Sequence, residues 1–531
     1  MGHKAPSQTS GSPAGGTVSI VLRNITSSWA ALLVNTLVSF VLAPVVVNTL
    51  GSVYYGIWTL LMQFTGYLWL FDFGVRESVI KYVAQYHASG EHAKLETTVR
   101  TATSVYAIVT VVALAVVAGI TVLLPYVFNV PLEAVSTARL VAFVTGATVA
   151  QSFLTNVFVG VLMGMQRIYV ISRVGILFTL VRAGATYVLL TAGYGIVALS
   201  VVNLVLSLAN AALVVYYCRV FLPELRLGPV TPVRSEVVKL LNYGKYVLLS
   251  NIGDKIVFAT DALVIGIFLP IAALTPYAIG GTLIGHMRSV VMAMAQVFNP
   301  LASSLRAGGG EDVLQRLLQT GAKGAMLVGL PLCIGFIALG ERFVLLWIGP
   351  EHAATAGQVQ TALAIGYVVG LPYYTISGIL YGLGQHRSVA LLRIVEGVLN
   401  LGLSVVLINL LGVVGVAIGT AIPHIIIVGW VLPHTLPRVF PINLRDYYWN
   451  VYGRTLLAAI PFVAATWAIR NIVQPASLVA FFVWGALSLL VYVPPVWLFA
   501  LSGDDRSQLL RALGARRGRP PASQVAAAAT D

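Results

Sequence analysis

The sequence predicts an all-α membrane protein of about fourteen transmembrane helices, arranged as two pseudo-symmetric six-helix lobes followed by a C-terminal helix pair. Three observations predict it: the scarcity of charge, the length of the apolar runs, and the alternation of basic residues between loops. Of 531 residues, 58% are hydrophobic and 9% charged, far below the roughly 25% charged of soluble domains. So few charges do not cover a water-facing surface. The apolar blocks are about 20 residues long, the length a helix rising 1.5 Å per residue needs to cross a roughly 30 Å hydrocarbon core. Runs such as Ala107 to Leu124 and Leu478 to Val493 do not alternate in polarity, which excludes a transmembrane barrel.

Taken in order, spans are expected at 26–48, 53–73, 101–125, 138–162, 174–193 and 196–217, a first set of six within an N-lobe of residues 23–228. A second six falls at 243–268, 272–300, 324–348, 360–383, 388–410 and 413–434, within a C-lobe of residues 229–436. The final pair, at 453–471 and 477–500, lies within residues 437–501. Residues 1–22 read as a disordered tail, and 502–531, with Arg516, Arg517 and Arg519, as a basic disordered one.

Lysine and arginine test this count, because they collect on the cytoplasmic side of a bilayer. With both termini cytoplasmic, only Arg139, Arg342 and Arg470 fall on outside segments, and Arg182, Lys255 and Arg288 within spans; all other basic residues lie inside. A missed span would invert the bias downstream. The net charge of +14 is therefore a topology signal directed at anionic membrane lipids, and nucleic acid is not an expected partner. Cys218 and Cys333 are too few for a disulfide framework or a cysteine metal site. No HExxH, Gly-x-Ser-x-Gly, Walker A or Cys-x-x-Cys arrangement occurs, so neither a metal, a cofactor nor catalysis is expected.

An internal repeat underlies the two lobes. Gly160-Val-Leu-Met-Gly164 leads to Arg167 and Arg173, and Gly378-Ile-Leu-Tyr-Gly382 leads to Arg387 and Arg393 with the same spacing between the arginines. The interval from Arg167 to Arg387 equals that from Gly195-Ile-Val-Ala198 to Gly415-Val-Ala417. Copies separated by six spans share one orientation, which places the repeat axis along the membrane normal and a cleft between the lobes.

The run Leu50-Gly51-Ser-Val-Tyr54-Tyr55-Gly56-Ile57-Trp58, then Gly66-Tyr67-Leu68, Asp72-Phe73-Gly74-Val75 and Lys81-Tyr82-Val83-Ala84, resembles the Wzx-like polysaccharide flippases of the multidrug/oligosaccharidyl-lipid/polysaccharide (MOP) exporter superfamily. The resemblance implies flipping of an undecaprenyl-pyrophosphate-linked oligosaccharide across the bacterial inner membrane by alternating access. It implies membrane lipids as surroundings, H+ or Na+ as coupling ions, and a polysaccharide polymerase or glycosyltransferase as partners. A multidrug cation antiporter and a lipid II flippase of the same fold are the alternatives. A membrane enzyme is disfavoured by outside loops as short as Asn129 to Thr137 and Pro350 to Gln358.

Ionisable groups within spans are costly, about 2.5–3.5 kcal/mol each on insertion scales, and so face a cavity or a partner. Arg182, Lys255 and Arg288 are the expected phosphate-facing cations, since guanidinium groups bond phosphate oxygens bidentately. Asp254, Asp261 and Glu396 are the expected ion-coupling carboxylates, Asp254 and Asp261 standing within about 20° of one helix face. Arg393 and Glu396, three apart, also fit a plain structural ion pair. Asp72, Arg76, Arg167, Arg173, Arg387 and Arg393 are structural or gating candidates, with Asp72 an expected loop anchor beside Arg76. His424, beside Pro423, reads as a packed, hydrogen-bonded histidine.

Overall fold

The computed structural model describes residues 13–226, 232–295, 311–440 and 442–503, together with 298, 302, 505–507 and 510; the side chains of 13–22, 243–259, 311, 312 and 386 lie outside that description. Every regular element among the described residues is helical. Ten stretches are long and apolar enough to cross a bilayer, or eleven with one pair of helices bent by 45° at a short break. That pair is Pro350–Gly370 and Tyr373–Gly382, and its break contains Pro372, whose ring nitrogen has no hydrogen to donate.

The chain folds into two compact units, residues 1–275 and 276–531. The first contains helices α1 (Pro13–Leu68), α2 (Val75–Ser89), α3 (His92–Val127), α4 (Val135–Gly164), α5 (Ile168–Thr191), α6 (Ile196–Phe221) and α7 (Arg234–Phe268). This boundary and the one expected after residue 228 bracket α7, which packs on α1, α2 and α3.

Helix α1 is far longer than a bilayer is thick, and at Gly51 its backbone turns to φ 70°, ψ 170°, a conformation that glycine reaches without a Cβ clash. Residues Asn35 to Val46 and Trp58 to Thr65 then line the same cavity from either side of the break, which one straight rod does not do. Helix α4 approaches α2 closely through its two repeat glycines. A Cβ on Gly160 would meet Val79 at 3.1 Å, and one on Gly164 would meet the carbonyl oxygen of Ile80 at 2.8 Å. Small residues permit such contact where lipid supplies no hydrophobic drive. The core beside them stacks Tyr106 on Phe153 with ring centres 6.0 Å apart.

The second unit is built on α8 (Leu274–Ala295), α9 (Glu311–Trp347), α10 (Pro350–Gly370), α11 (Tyr373–Gly382), α12 (His386–Pro423), α13 (Arg454–Ala468) and α14 (Leu478–Pro495). Helix α12 is broken at Gly412, with φ 59° and ψ −139°. Its two arms run antiparallel: the Ser404 hydroxyl approaches the Val416 carbonyl at 3.4 Å, and the Thr420 hydroxyl donates to Asn400 Oδ1 at 3.3 Å. Gly415 and Gly419 make the approach possible, since a Cβ on either would lie within 2.6 Å of Leu407 O or Ser404 Oγ. Directly after Pro423 the helix widens into a π-helical segment, His424–Val431. Segments of this kind concentrate at functional sites.

Candidate functional site

In the first unit, α1, α4, α5 and α6 surround a cavity of about 430 Å³. Its wall is largely apolar, with Val38, Leu42, Trp58 and Met62 among its residues, and is studded with the hydroxyl and amide groups of Asn35, Ser39, Thr65, Thr145, Thr148, Thr179, Thr186, Asn203 and Ser207; Arg182 is the one charged residue on it among the described residues. Thr179 donates to Asn35 Oδ1 at 2.8 Å, and Ser207 to Gln151 Oε1 at 2.8 Å, which ties neighbouring helices together at the cavity edge. No carboxylate among the described residues forms an ion pair with Arg182. Chemically, the cavity offers hydroxyl and amide hydrogen bonds with one fixed positive charge, which suits a polar ligand bearing an anionic group.

In the second unit the ion pair anticipated at Arg393 and Glu396 is present and buried. Arg393 Nη1 donates to Glu396 Oε2 at 2.7 Å, and the side chains are 3% and 1% exposed. His424, 28 positions along on the far side of the α12 reversal, bonds Glu396 Oε1 through Nδ1 at 2.7 Å. The other ring nitrogen, Nε2, faces Gly370. Gly370 makes room for that nitrogen, because a Cβ there would overlap it. The Tyr367 ring lies 4.8 Å from the imidazole, the Arg288 guanidinium 6.0 Å from the Tyr367 ring centre, and that of Arg393 5.1 Å from Tyr373. Arg288 therefore joins the tyrosine cluster around the triad.

The other expected site residues are dispersed. Asp261 is buried on α7 in the first unit. Asp254 and Lys255 stand on the same helix, but their side chains fall outside the described residues. Asp72 is buried and accepts a hydrogen bond from the Tyr106 hydroxyl, while Arg76 turns to Glu77 Oε1 at 2.8 Å. The loop anchor at Asp72 is thus a tyrosine from α3. Arg167 and Arg173 gather near Tyr169, and Arg387 is exposed. The repeat-related positions 173 and 393 differ accordingly: the first is exposed and the second buried in an ion pair.

A long-range ion pair also lies outside the expected set. Lys323 Nζ on α9 bonds Asp505 Oδ2 at 2.8 Å. Asp505 also accepts from the Ser502 N–H at 2.9 Å, and the Ser502 hydroxyl accepts from the Asp505 N–H at 3.2 Å. This reciprocal capping box starts a helical segment after α14 and fastens it to α9. Burial works to raise the Asp505 carboxyl, but the Lys323 ammonium and the Ser502 bonds outweigh it and hold the group below its ordinary value of 3.8. A depressed carboxyl adds stability above its unfolded value and loses it as pH falls through the folded one. Asp505→Asn is accordingly expected to cost about 1–3 kcal/mol at neutral pH. In thermal unfolding profiles the gap between variant and parent should close as the medium is acidified below about pH 4.

The amino-acid sequence matches the family model described as "Polysaccharide biosynthesis protein" over residues 21–306, and the one described as "Lipid II flippase MurJ" over 289–488. It is 24% identical over 261 residues to a probable low-salt glycan biosynthesis flippase, Agl15, of Haloferax volcanii, spanning 49% of this chain and 54% of that one. The chain thus spans about half the length of that relative. It is 21% identical over 508 residues to the uncharacterized membrane protein EpsK of Bacillus subtilis, covering 93% of this chain and 98% of that one. Among solved structures it is similar to the lipid II flippase MurJ in an inward closed conformation, with a TM-score of 0.67, 13% identity, and 90% and 98% of the two chains covered. An inward-facing MATE family multidrug resistance transporter of the MOP superfamily gives a TM-score of 0.59 at 17% identity, covering 78% and 96%. At these identities the structural likeness is one of fold.

Proposed function

The chain belongs to the polysaccharide biosynthesis protein family, and we propose that it is a flippase carrying an undecaprenyl-pyrophosphate-linked oligosaccharide from the cytoplasmic to the periplasmic leaflet of the inner membrane. The observation that carries this reading is the cavity holding Arg182. Its volume lies in the range of small-molecule sites, about 300–1,000 Å³. Hydroxyl and amide groups suit a sugar, and an arginine suits a phosphate oxygen. The alternative, export of an organic cation, calls for a carboxylate on the cavity wall, and the fixed positive charge found there opposes it.

In this reading each glycine-broken rod counts as two crossings, the bent pair as one and α7 as one more, giving about fourteen helices with both termini cytoplasmic. Alternating access exposes the cavity to one leaflet and then the other, with H+ or Na+ as the coupling ion and Asp254, Asp261 or Glu396 as its carboxylate. A polymerase or glycosyltransferase works on either side of the transport step.

The test uses the full chain in liposomes carrying a fluorescent polyprenyl-pyrophosphate disaccharide, with chemical quenching of the outer leaflet as readout. Arg182→Gln is expected to slow flipping at least tenfold with unchanged protein abundance, and Arg182→Lys to retain part of the rate. A full rate in Arg182→Gln rejects the cavity as the substrate path.

A further inference from the structure

We propose that Arg23, Arg167 and Arg173, gathered around Tyr169, form a second anion site in the first unit, one that takes the phosphate group of a lipid headgroup. The Arg23 guanidinium lies 3.5 Å from the centre of the Tyr169 ring, and that of Arg173 lies 5.5 Å from the same centre. Arg167 Nη1 approaches the Tyr169 hydroxyl at 3.4 Å, and its guanidinium carbon stands 4.7 Å from the Phe221 ring. Three permanent cations are thereby held on one side chain, chiefly by stacking, an interaction that fixes a guanidinium while leaving N–H edges for another partner.

The platform is built, not incidental. Asn24, on the first turns of α1 and 9% exposed, donates from Nδ2 to the Gln166 carbonyl at 2.9 Å and accepts the Tyr169 N–H at 3.0 Å. This clamp holds the short turn between α4 and α5, where Gln166 adopts φ 57°. Tyr169 itself is 8% exposed, so its ring is fixed where the three cations meet. Arg173 is exposed and Arg23 and Arg167 are half-buried, so the cluster remains within reach of a ligand.

Negative charge is what the cluster lacks. Among the described residues, no carboxylate forms an ion pair with any of the three arginines. Like charges this close repel within the Debye length, about 8 Å at physiological salt, so the assembly is stabilised by an arriving anion. A phosphate fits, because arginine forks bond its oxygens in pairs. Arg167 caps α5, Arg173 lies in its second turn and Arg23 opens the apolar stretch of α1, so all three stand at the ends of spanning segments where headgroups lie. Two lipids carry this chemistry, a bulk anionic phospholipid and a polyprenyl pyrophosphate, and the second rests on the transport reading above.

The experiment measures binding and so does not depend on flipping. The full chain, in phosphatidylcholine nanodiscs, is titrated separately with decaprenyl pyrophosphate, with phosphatidylglycerol and with inorganic pyrophosphate. The parent, the triple variant Arg23→Gln, Arg167→Gln, Arg173→Gln, and the control Arg139→Gln are compared. The triple variant is expected to bind decaprenyl pyrophosphate or phosphatidylglycerol at least tenfold more weakly than the parent, with the control unchanged, and the lipid that shows the loss identifies the source. Should the triple variant fail to fold, the exposed single change Arg173→Gln is expected to give about a threefold loss. Unchanged affinity for both lipids in a folded variant, or loss for inorganic pyrophosphate alone, overturns the assignment. If flipping is absent while the binding loss is found, the transport reading fails and this site stands.

Discussion

Alanine at position 393 is expected to destabilise the second unit by about 3–5 kcal/mol, the cost of stranding one partner of a buried ion pair. Glu396 is 1% exposed, and one of its two oxygens is held by the Arg393 guanidinium and the other by His424. Removing the arginine leaves the Glu396 carboxyl group in a dry site with the His424 imidazole as its remaining partner in the triad. The loss should appear in thermal unfolding of detergent-solubilised protein. The double variant Arg393→Ala, Glu396→Gln should recover a substantial part of it, because no uncompensated charge is then buried. A change below about 1 kcal/mol in the single variant would mean that the pair is hydrated, contrary to its burial here.

The second large effect is steric. Gly415→Ala drives a Cβ into the Leu407 carbonyl oxygen and to 2.6 Å from its carbon, and backbone atoms of a packed arm have no rotamer to escape into. The arms of α12 must separate, weakening the bonds between Ser404 and Val416 and between Asn400 and Thr420. The expected cost is about 3 kcal/mol, the upper part of the usual range for overpacking. Gly402→Ala is the matched control, since nothing lies within 4 Å of its added carbon, and it should be neutral or slightly stabilising through helix propensity. Equal behaviour of the two variants would show that the arms do not pack as described.

Much of the helical frame was legible because its signals are local. Apolar length marks the spans, and the gaps between 48 and 53 and between 410 and 413 enclose Gly51 and Gly412, where the backbone breaks. Arg393 and Glu396 were also readable, because a spacing of three puts two side chains on one face of a helix. What sequence spacing does not show is contact between helices. His424 reaches Glu396 across 28 positions, and the Asn, Ser and Thr residues on the wall of the Arg182 cavity come from four helices. Asp72 shows the same: Arg76 is near in sequence, and the fold adds the hydroxyl of Tyr106 on α3, which donates to the carboxylate. Arg167 and Arg173 read as structural or gating candidates and Arg23 as part of the topology signal, and only the fold shows that Arg23 meets a ring about 145 positions away.

The turn at Gly412 also bears on how the polypeptide enters the bilayer. At roughly 5–20 residues per second of synthesis, the arm ending beside His424 emerges within seconds of the arm carrying Asn400. A reversal made by one glycine has no hydrophilic loop to drag through the insertion machinery. Ser404 bonds Asn400 along one arm and Thr420 bonds the same oxygen from the other, so a pair released together does not offer the Thr420 hydroxyl and the Asn400 carbonyl singly to acyl chains. Biogenesis and native packing then draw on the same bonds, and a defect at this reversal would surface first as failed insertion.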